Sequence, residues 1–466
     1  MTKTSKNNLK PVEVVEANTA VQTQDEQELI VDENPLHNHP IAMALDQFLD
    51  RIQDLREAVK ISLPTVAKKY IDSLEKTQKN YEKYVQTKPD DGSRHAIAQG
   101  VHAGSDLVNT MKELDRLSKS KVIQVLERSL FIGIFSEFDV FMGNLIQGIH
   151  TKKPDLFKGI KREVTLSDLL EFESVEAVKQ DILDKEIDAF RRNSYVEQFI
   201  ELEKKFEIKT LRDFKEWSAF IEISQRRNLV THNGGVCSEQ YLVMCDREGY
   251  KFSERPKIRD ELKLSPEYIF NALLIVAKVG FMLAHTLWRK VLADEVVLAD
   301  TAMNLSIYGL LEEKKWKYAA EFGEFGLSDP ILRKATDIEK RMRVVNAAIA
   351  FQQCKQKEKS IILLEAMDWS ASLRDFQLAL AILKDDYAGA SRIMKDIGKR
   401  GELVDQMAYH RWPLFHDFRG SQEFLQAYEA IYSIPFIEKA TEQAQAEVEN
   451  AGARTELLKQ DASNLI

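Results

Sequence analysis

The chain is expected to fold as an all-α protein, on three observations. Leu, Ala, Glu, Lys and Gln recur at helical spacing along most of the 466 residues. Glycine (19) and proline (11) are scarce. No run of alternating polar and apolar residues closes on a tight turn, the pattern that marks a β-hairpin. With 44% hydrophobic against 30% charged residues the chain can bury real cores, and its length suits two or three domains.

Residues 1–40 carry no apolar period and are expected to form a disordered acidic tail, with three lysines against seven carboxylates. Order should begin near Pro40. Ile41, Leu45, Phe48, Ile52, Leu55 and Val59 then draw one apolar stripe along a helix. Pro64 is expected to open a second helix reaching about Val85, with Val66, Tyr70, Leu74 and Tyr81 on its stripe, and "KPDDGS" (88–93) ends it. These two helices predict a hairpin within an N-terminal extension, 41–119.

A middle domain, 120–292, is expected to centre on "VIQVLERSLFIGIFSEFDVFMGNLIQGI" (122–149), the most apolar stretch of the chain. A basic, proline-containing connection (151–168) leads to helical patterns at about 169–204 and 211–233. A polar linker then reaches a long buried helix at about 265–292. Two of these segments approach membrane-spanning length. Glu137 and Asp139 interrupt one and Lys278 the other, so both are read as core helices and no membrane contact is expected.

From 293 to 434 three stretches each join a polar turn to a helix rich in small and apolar residues: "LLEEKKWKYAAEFGEFGLS", "FQQCKQKEKSIILLEAMDWS" and "AILKDDYAGASRIMKDIGK". Their uneven spacing suits a degenerate tetratricopeptide-like array as well as an ordinary bundle. "HRWPLFHDFRGSQEFLQAYEAIY" (410–432) would close it, and 435–466 reads as a polar tail.

The net charge of −9 argues against non-specific binding to duplex nucleic acid. Most of that charge sits in the two tails, however, which leaves a nearly neutral body able to carry a local basic site. Cys237, Cys245 and Cys354 show neither a C-x-x-C pair nor zinc spacing and read as thiols of a reducing compartment. The polar N-terminus has no signal-peptide pattern, and the expected location is cytoplasmic.

"RRNLVTHNGG" (226–235) holds the candidate chemistry. Leu211, Phe214, Trp217, Phe220 and Ile221 give the preceding helix a buried face, and Gly234 and Gly235 supply its stop. Arg227 and His232 lie about 7.5 Å apart along such a helix, comparable to the reach of a phosphodiester. Asn228 is four residues before His232, on the same face, where its amide could orient the imidazole. Histidine transfers protons near neutral pH, and arginine stabilises charge on a phosphorane. RNA brings its own nucleophile, the 2′-hydroxyl, so cleavage needs no metal or other cofactor, and no carboxylate or His/Cys cluster has ligand spacing. Arg226, Lys152 and Lys153 are candidate contacts to the RNA backbone. The spacing itself is not specific: Arg411 and His416 share it in "RWPLFH", where Pro413 points to a packed turn.

The order Arg227, Asn228, three residues, His232 resembles the motif of the HEPN ribonuclease superfamily, over about 122–292. The resemblance implies a helical bundle that dimerises so that two motifs face one cleft. It also implies metal-independent endoribonuclease activity, as in bacterial toxin, abortive-infection and antiphage systems. In members controlled by a nucleotidyltransferase antitoxin a tyrosine stands two places after the histidine; here that place is Gly234. The leading expectation is therefore a homodimeric endoribonuclease acting on RNA, whose C-terminal repeats offer a protein partner or trigger a surface. The alternatives are a catalytically silent scaffold of the same fold and a small-molecule or nucleotide receptor.

Overall fold

The computed structural model describes residues 35–87, 94–97 and 100–436. The "KPDDGS" turn and nearly all of both expected tails lie outside them. The fold is all-α; among the described residues one two-stranded ribbon is the only sheet.

Helix α1 (Pro40–Glu82) is one continuous helix of 43 residues, which corrects the expected break at Pro64. Pro64 is solvent-exposed, and so is Lys60, whose carbonyl loses its helical donor to the proline. Water can satisfy that carbonyl, while the buried stripe Ile52, Val59 and Leu63 runs uninterrupted on the opposite side. Strands β1 (Val85–Thr87) and β2 (Arg94–Ala96) pair antiparallel, Val85 opposite Ala96. Helix α2 (Ala103–Ser118) then returns along α1, where Tyr70 donates its hydroxyl to the Leu117 carbonyl at 2.8 Å. The hairpin is thus α1 against α2, closed by the ribbon.

Helix α3 (Val122–Lys152) continues along the first half of α1, which belongs to the common core rather than to a separate extension. Phe48 of α1 stacks on Phe141 at 4.5 Å. Three helices follow, α4 (Leu166–Leu169), α5 (Val175–Arg191) and α6 (Tyr195–Phe206), of which α5 and α6 pack on α3. A capping box starts α6, with Ser194 accepting from the Glu197 N–H and Glu197 accepting from the Ser194 N–H. Helix α7 (Trp217–His232) ends on Gly234 and Gly235, both left-handed (φ +62° and +82°), as the glycine stop predicts. The expected polar linker contains a further helix, α8 (Glu239–Arg247), capped by Ser238. Nine residues with a single buried face are too short for the apolar period to stand out.

Helix α9 (Pro266–Val291) runs through the centre, buried nearly all round. Its Gly280 admits Phe48, since a Cβ there would lie 2.3 Å from the ring edge. Its buried charges are paired internally: Lys278 bonds Glu216 (2.7 Å) and Glu321 (2.6 Å), and Arg289 bonds Asp300 (2.7 Å). Both α3 and α9 are long and apolar enough to cross a membrane by length and composition, and here they form the core of the bundle.

The remaining helices are α10 (Val296–Glu312), α11 (Trp316–Gly326), α12 (Asp329–Leu332), α13 (Asp337–Gln353), α14 (Lys357–Glu365), α15 (Arg374–Leu383), α16 (Tyr387–Ile397), α17 (Gln406–Arg411) and α18 (Gln422–Tyr432). One turn geometry recurs in the α10–α11, α13–α14 and α15–α16 hairpins. Lys314, Lys355 and Asp385 are left-handed (φ +57°, +61° and +60°). The next N–H bonds a carbonyl five residues back: Lys315 to Leu310, Gln356 to Phe351, Asp386 to Ala381. Five residues after each left-handed position a small side chain is fully buried, at Ala319, Ser360 and Ala390, letting the second helix approach closely. A buried ionic cluster joins this region to α9. Asp300 accepts from Arg289 (2.7 Å) and Arg343 (2.6 Å), and Arg343 also donates to Asn304 and the Gly326 carbonyl.

Candidate functional site

The last turn of α7 opens onto a cleft of about 610 Å³ shared with the end of α5, the start of α6 and the start of α8. Arg227, Asn228 and His232 all line it. The candidate motif therefore stands in a concave site and not on a flat helix end.

Arg227 is held from behind. Its Nη2 donates to the Tyr195 hydroxyl at 2.9 Å and lies 3.8 Å from Asp139 Oδ2. The Tyr195 hydroxyl donates in turn to Asp139 Oδ1 at 2.6 Å. The guanidinium sits over the rings of Phe135 and Tyr195, 5.2 and 5.6 Å from their centroids, which restricts its rotamers. Burial pushes the Tyr195 phenol up, and the Asp139 charge beside it adds to this, so the hydroxyl keeps its proton and serves as a donor. Burial raises the Asp139 carboxyl from its ordinary range, opposed by the Tyr195 hydrogen bond and by Arg227. The carboxylate foreseen as an intrusion into an apolar helix is thus one of the two supports of Arg227. Arg227 Nε is buried with no hydrogen-bond partner among the described residues.

His232 is exposed at the rim of the cleft, one residue before the helix cap. Asn228 makes no hydrogen bond to it among the described residues, so the expected amide support of the imidazole is not formed. The imidazole is free to turn toward a ligand.

The three expected backbone contacts lie elsewhere. Arg226 points to the other side of α7, about 100° from its neighbour as helical geometry requires. It pairs there with the buried Glu222 at 2.8 Å and stacks on Tyr268 at 4.1 Å. Glu222 also accepts from Tyr241 (2.6 Å) and Tyr268 (2.8 Å), so Arg226 belongs to an internal network. Arg226→Ala should destabilise the fold by about 1.5–3 kcal/mol, the value of a charge-assisted hydrogen bond, because the two tyrosines still satisfy the carboxylate. Urea denaturation would check this, and an unchanged midpoint would refute a structural role. Lys152 and Lys153 end α3, about 20 Å along its axis from Asp139. Lys152 pairs with Glu295 at 2.6 Å and Lys153 donates to the Val291 carbonyl at 3.0 Å.

Residues not foreseen from the sequence supply the opposite wall. Arg191, Arg192 and Gln198 line the cleft together with Tyr195. The readable signal was "FRRNSYVE", an arginine pair immediately before a Ser-x-x-Glu capping box. The lining holds three arginines and a histidine and no aspartate or glutamate. Among the described residues no group of three or more His, Cys, Asp or Glu is placed to hold a metal ion. The second Arg–His pair is a packed turn, as expected: α17 stops at Arg411, and His416 is exposed and paired with Asp417 at 2.7 Å.

Fold and site together define an all-α protein with a cationic cleft at the glycine-terminated end of one core helix. No protein-family profile, no curated protein and no solved structure matches the chain.

Proposed function

We propose that the protein is a metal-independent endoribonuclease that acts as a homodimer, with the Arg227–His232 pair as its catalytic centre. The observation that carries this reading is the cleft: a preorganised arginine, an unengaged histidine and no lining carboxylate, in a chain of net charge −9. Such a lining attracts an anion and keeps the phosphate free of like-charge repulsion. The 2′-hydroxyl of a bound RNA attacks the adjacent phosphorus while His232 moves a proton. Arg227, fixed by Tyr195 and Asp139, meets the charge that grows on the phosphorane oxygens. The leaving 5′-oxygen takes a proton and the product carries a 2′,3′-cyclic phosphate. One chain offers one imidazole, and a second copy supplies the other proton-transfer group. The resemblance to the HEPN motif adds weight to this reading and extends it to a toxin or antiphage effector.

Purified protein incubated with total RNA in EDTA should release fragments ending in 2′,3′-cyclic phosphate or its hydrolysis product, and should run as a dimer in light scattering. Cleavage that vanishes in EDTA and returns with magnesium would refute the mechanism, and a monomer that still cuts would refute the dimer.

The second reading is a silent scaffold that binds a protein partner. It is favoured by a separate groove of about 310 Å³ between α10, α13 and α17, lined by Tyr308, Met342 and Trp412 with Asn304 and Asn346. That face suits a partner of the tetratricopeptide-like array, and a folded wild type that cuts no RNA would select this reading.

A further inference from the structure

Arg191 and Arg192 stand at the end of α5 with little internal reason to be arginine. Among the described residues the Arg191 side chain makes one hydrogen bond, from Nη2 to the Val140 carbonyl at 3.4 Å, and its Nε is buried without a partner. Arg192 is exposed in the cleft and makes no ion pair among the described residues. The turn beneath them is rigid. The buried Gln198 donates through Nε2 to the Asn193 carbonyl (2.9 Å) and the Arg191 carbonyl (3.5 Å). Gly143 of α3 makes room for the Arg191 side chain, since a Cβ there would lie 1.8 Å from Nη2 and 2.6 Å from Cζ. Arg191 and Arg227 are anchored on consecutive residues of α3, Val140 and Asp139.

Two cations held beside a third, with Asp139 behind them as the counter-charge, repel one another unless an anion lies between. We propose that Arg191 and Arg192 form a second phosphate subsite, which holds a neighbouring phosphate of the RNA strand whose scissile phosphate meets Arg227 and His232. This rests on the ribonuclease reading of the cleft for its substrate and on the geometry alone for its anion. Two phosphates of one strand, each held at its own arginine site, set the direction in which the strand crosses the cleft. They also explain how a protein of negative net charge binds a polyanion through one local patch.

The test uses the full-length wild type and a short fluorescent 2′-O-methyl RNA strand, which cannot be cleaved, with binding read by anisotropy over a range of salt. The double variant Arg191→Ala/Arg192→Ala should bind at least tenfold more weakly. Its slope of log K against log salt should flatten by about 0.7 for each phosphate the variant no longer neutralises. Gly143→Ala should act in the same direction by displacing the Arg191 guanidinium, while alanine's higher helix propensity keeps α3 intact. Circular dichroism on each variant separates loss of binding from loss of fold. Unchanged affinity and salt slope in the double variant would overturn the subsite. So would a nucleoside monophosphate that competes as well as the strand, which makes the ligand a mononucleotide. If the wild type binds the strand through these arginines and cuts no unmodified RNA, the ribonuclease reading fails and the subsite stands. If it cuts RNA and the double variant keeps the wild-type KM, the subsite fails and the ribonuclease reading stands.

Discussion

His232→Ala is expected to abolish RNA cleavage and leave the fold unchanged. The side chain is exposed and makes no hydrogen bond among the described residues, so its removal should move stability by no more than about 0.5 kcal/mol. Loss of a proton-transfer group removes on the order of 10²–10⁴ in rate. Arg227→Lys should fail as well. A single ammonium cannot bond Tyr195 and present a planar fork to a phosphate at the same time, and one lost donor to the developing oxyanion costs about 10²–10³-fold. Asn228→Ala should have the smallest effect of the three, because its amide does not support the imidazole. His416→Ala is the control: its ring is exposed and paired with Asp417, and cleavage should not change. Rates would be read on a fluorescent RNA at equal concentrations of folded protein. If His416→Ala abolishes cleavage and His232→Ala does not, the catalytic assignment is wrong.

Asp300→Ala should cause the largest loss of stability, about 3–5 kcal/mol. Asp300 is buried between Arg289 and Arg343, which lie in α9 and α13, and its carboxylate is the ion-pair partner of both. Removing it strands two buried guanidiniums, and the desolvation cost of each is then no longer offset. The cluster joins the central helix to the C-terminal hairpins, so the transition should also lose cooperativity between the two regions. Asp337→Ala provides the comparison, since its pair with Arg341 is largely exposed on the carboxylate side and should contribute under about 1 kcal/mol. Urea melts followed by circular dichroism would measure both, and a shift for Asp300→Ala no larger than for Asp337→Ala would show that the cluster contributes little.

Much of this architecture was legible one helix at a time. The apolar runs 122–149 and 265–292 are α3 and α9, and of their interrupting charges Lys278 is a paired interior position while Asp139 stands behind Arg227. The double glycine after His232 is the left-handed stop of α7, and the three polar turns of the C-terminal region are three copies of one hairpin turn. The misreadings share a cause. Pro64 reads as a helix boundary because local sterics disfavour proline inside a helix. The packing of the opposite face of α1 and the solvent on the proline side outweigh that local cost. Helix α8 was missed because nine residues carry too little periodic signal.

The sequence by itself determined the helical class, the turn chemistry and the residue types that meet at the end of α7, because each depends on neighbours within about one or two helical turns. Only the tertiary structure decided which of those residues share a cleft. Arg226 and Arg227 are adjacent in sequence, yet one turns inward to Glu222 and the other faces the site with Tyr195 and Asp139. Lys152 and Lys153 are basic and belong to the same stretch as Asp139, yet they finish a helix whose length carries them away from the cleft. Arg191 and Arg192 come from a different helix and close the opposite wall. Which charge meets which is set by the crossing of α3, α5, α6 and α7. That crossing follows from burying Phe135, Phe138, Tyr195 and Phe220 against one another, a long-range packing that no local pattern encodes.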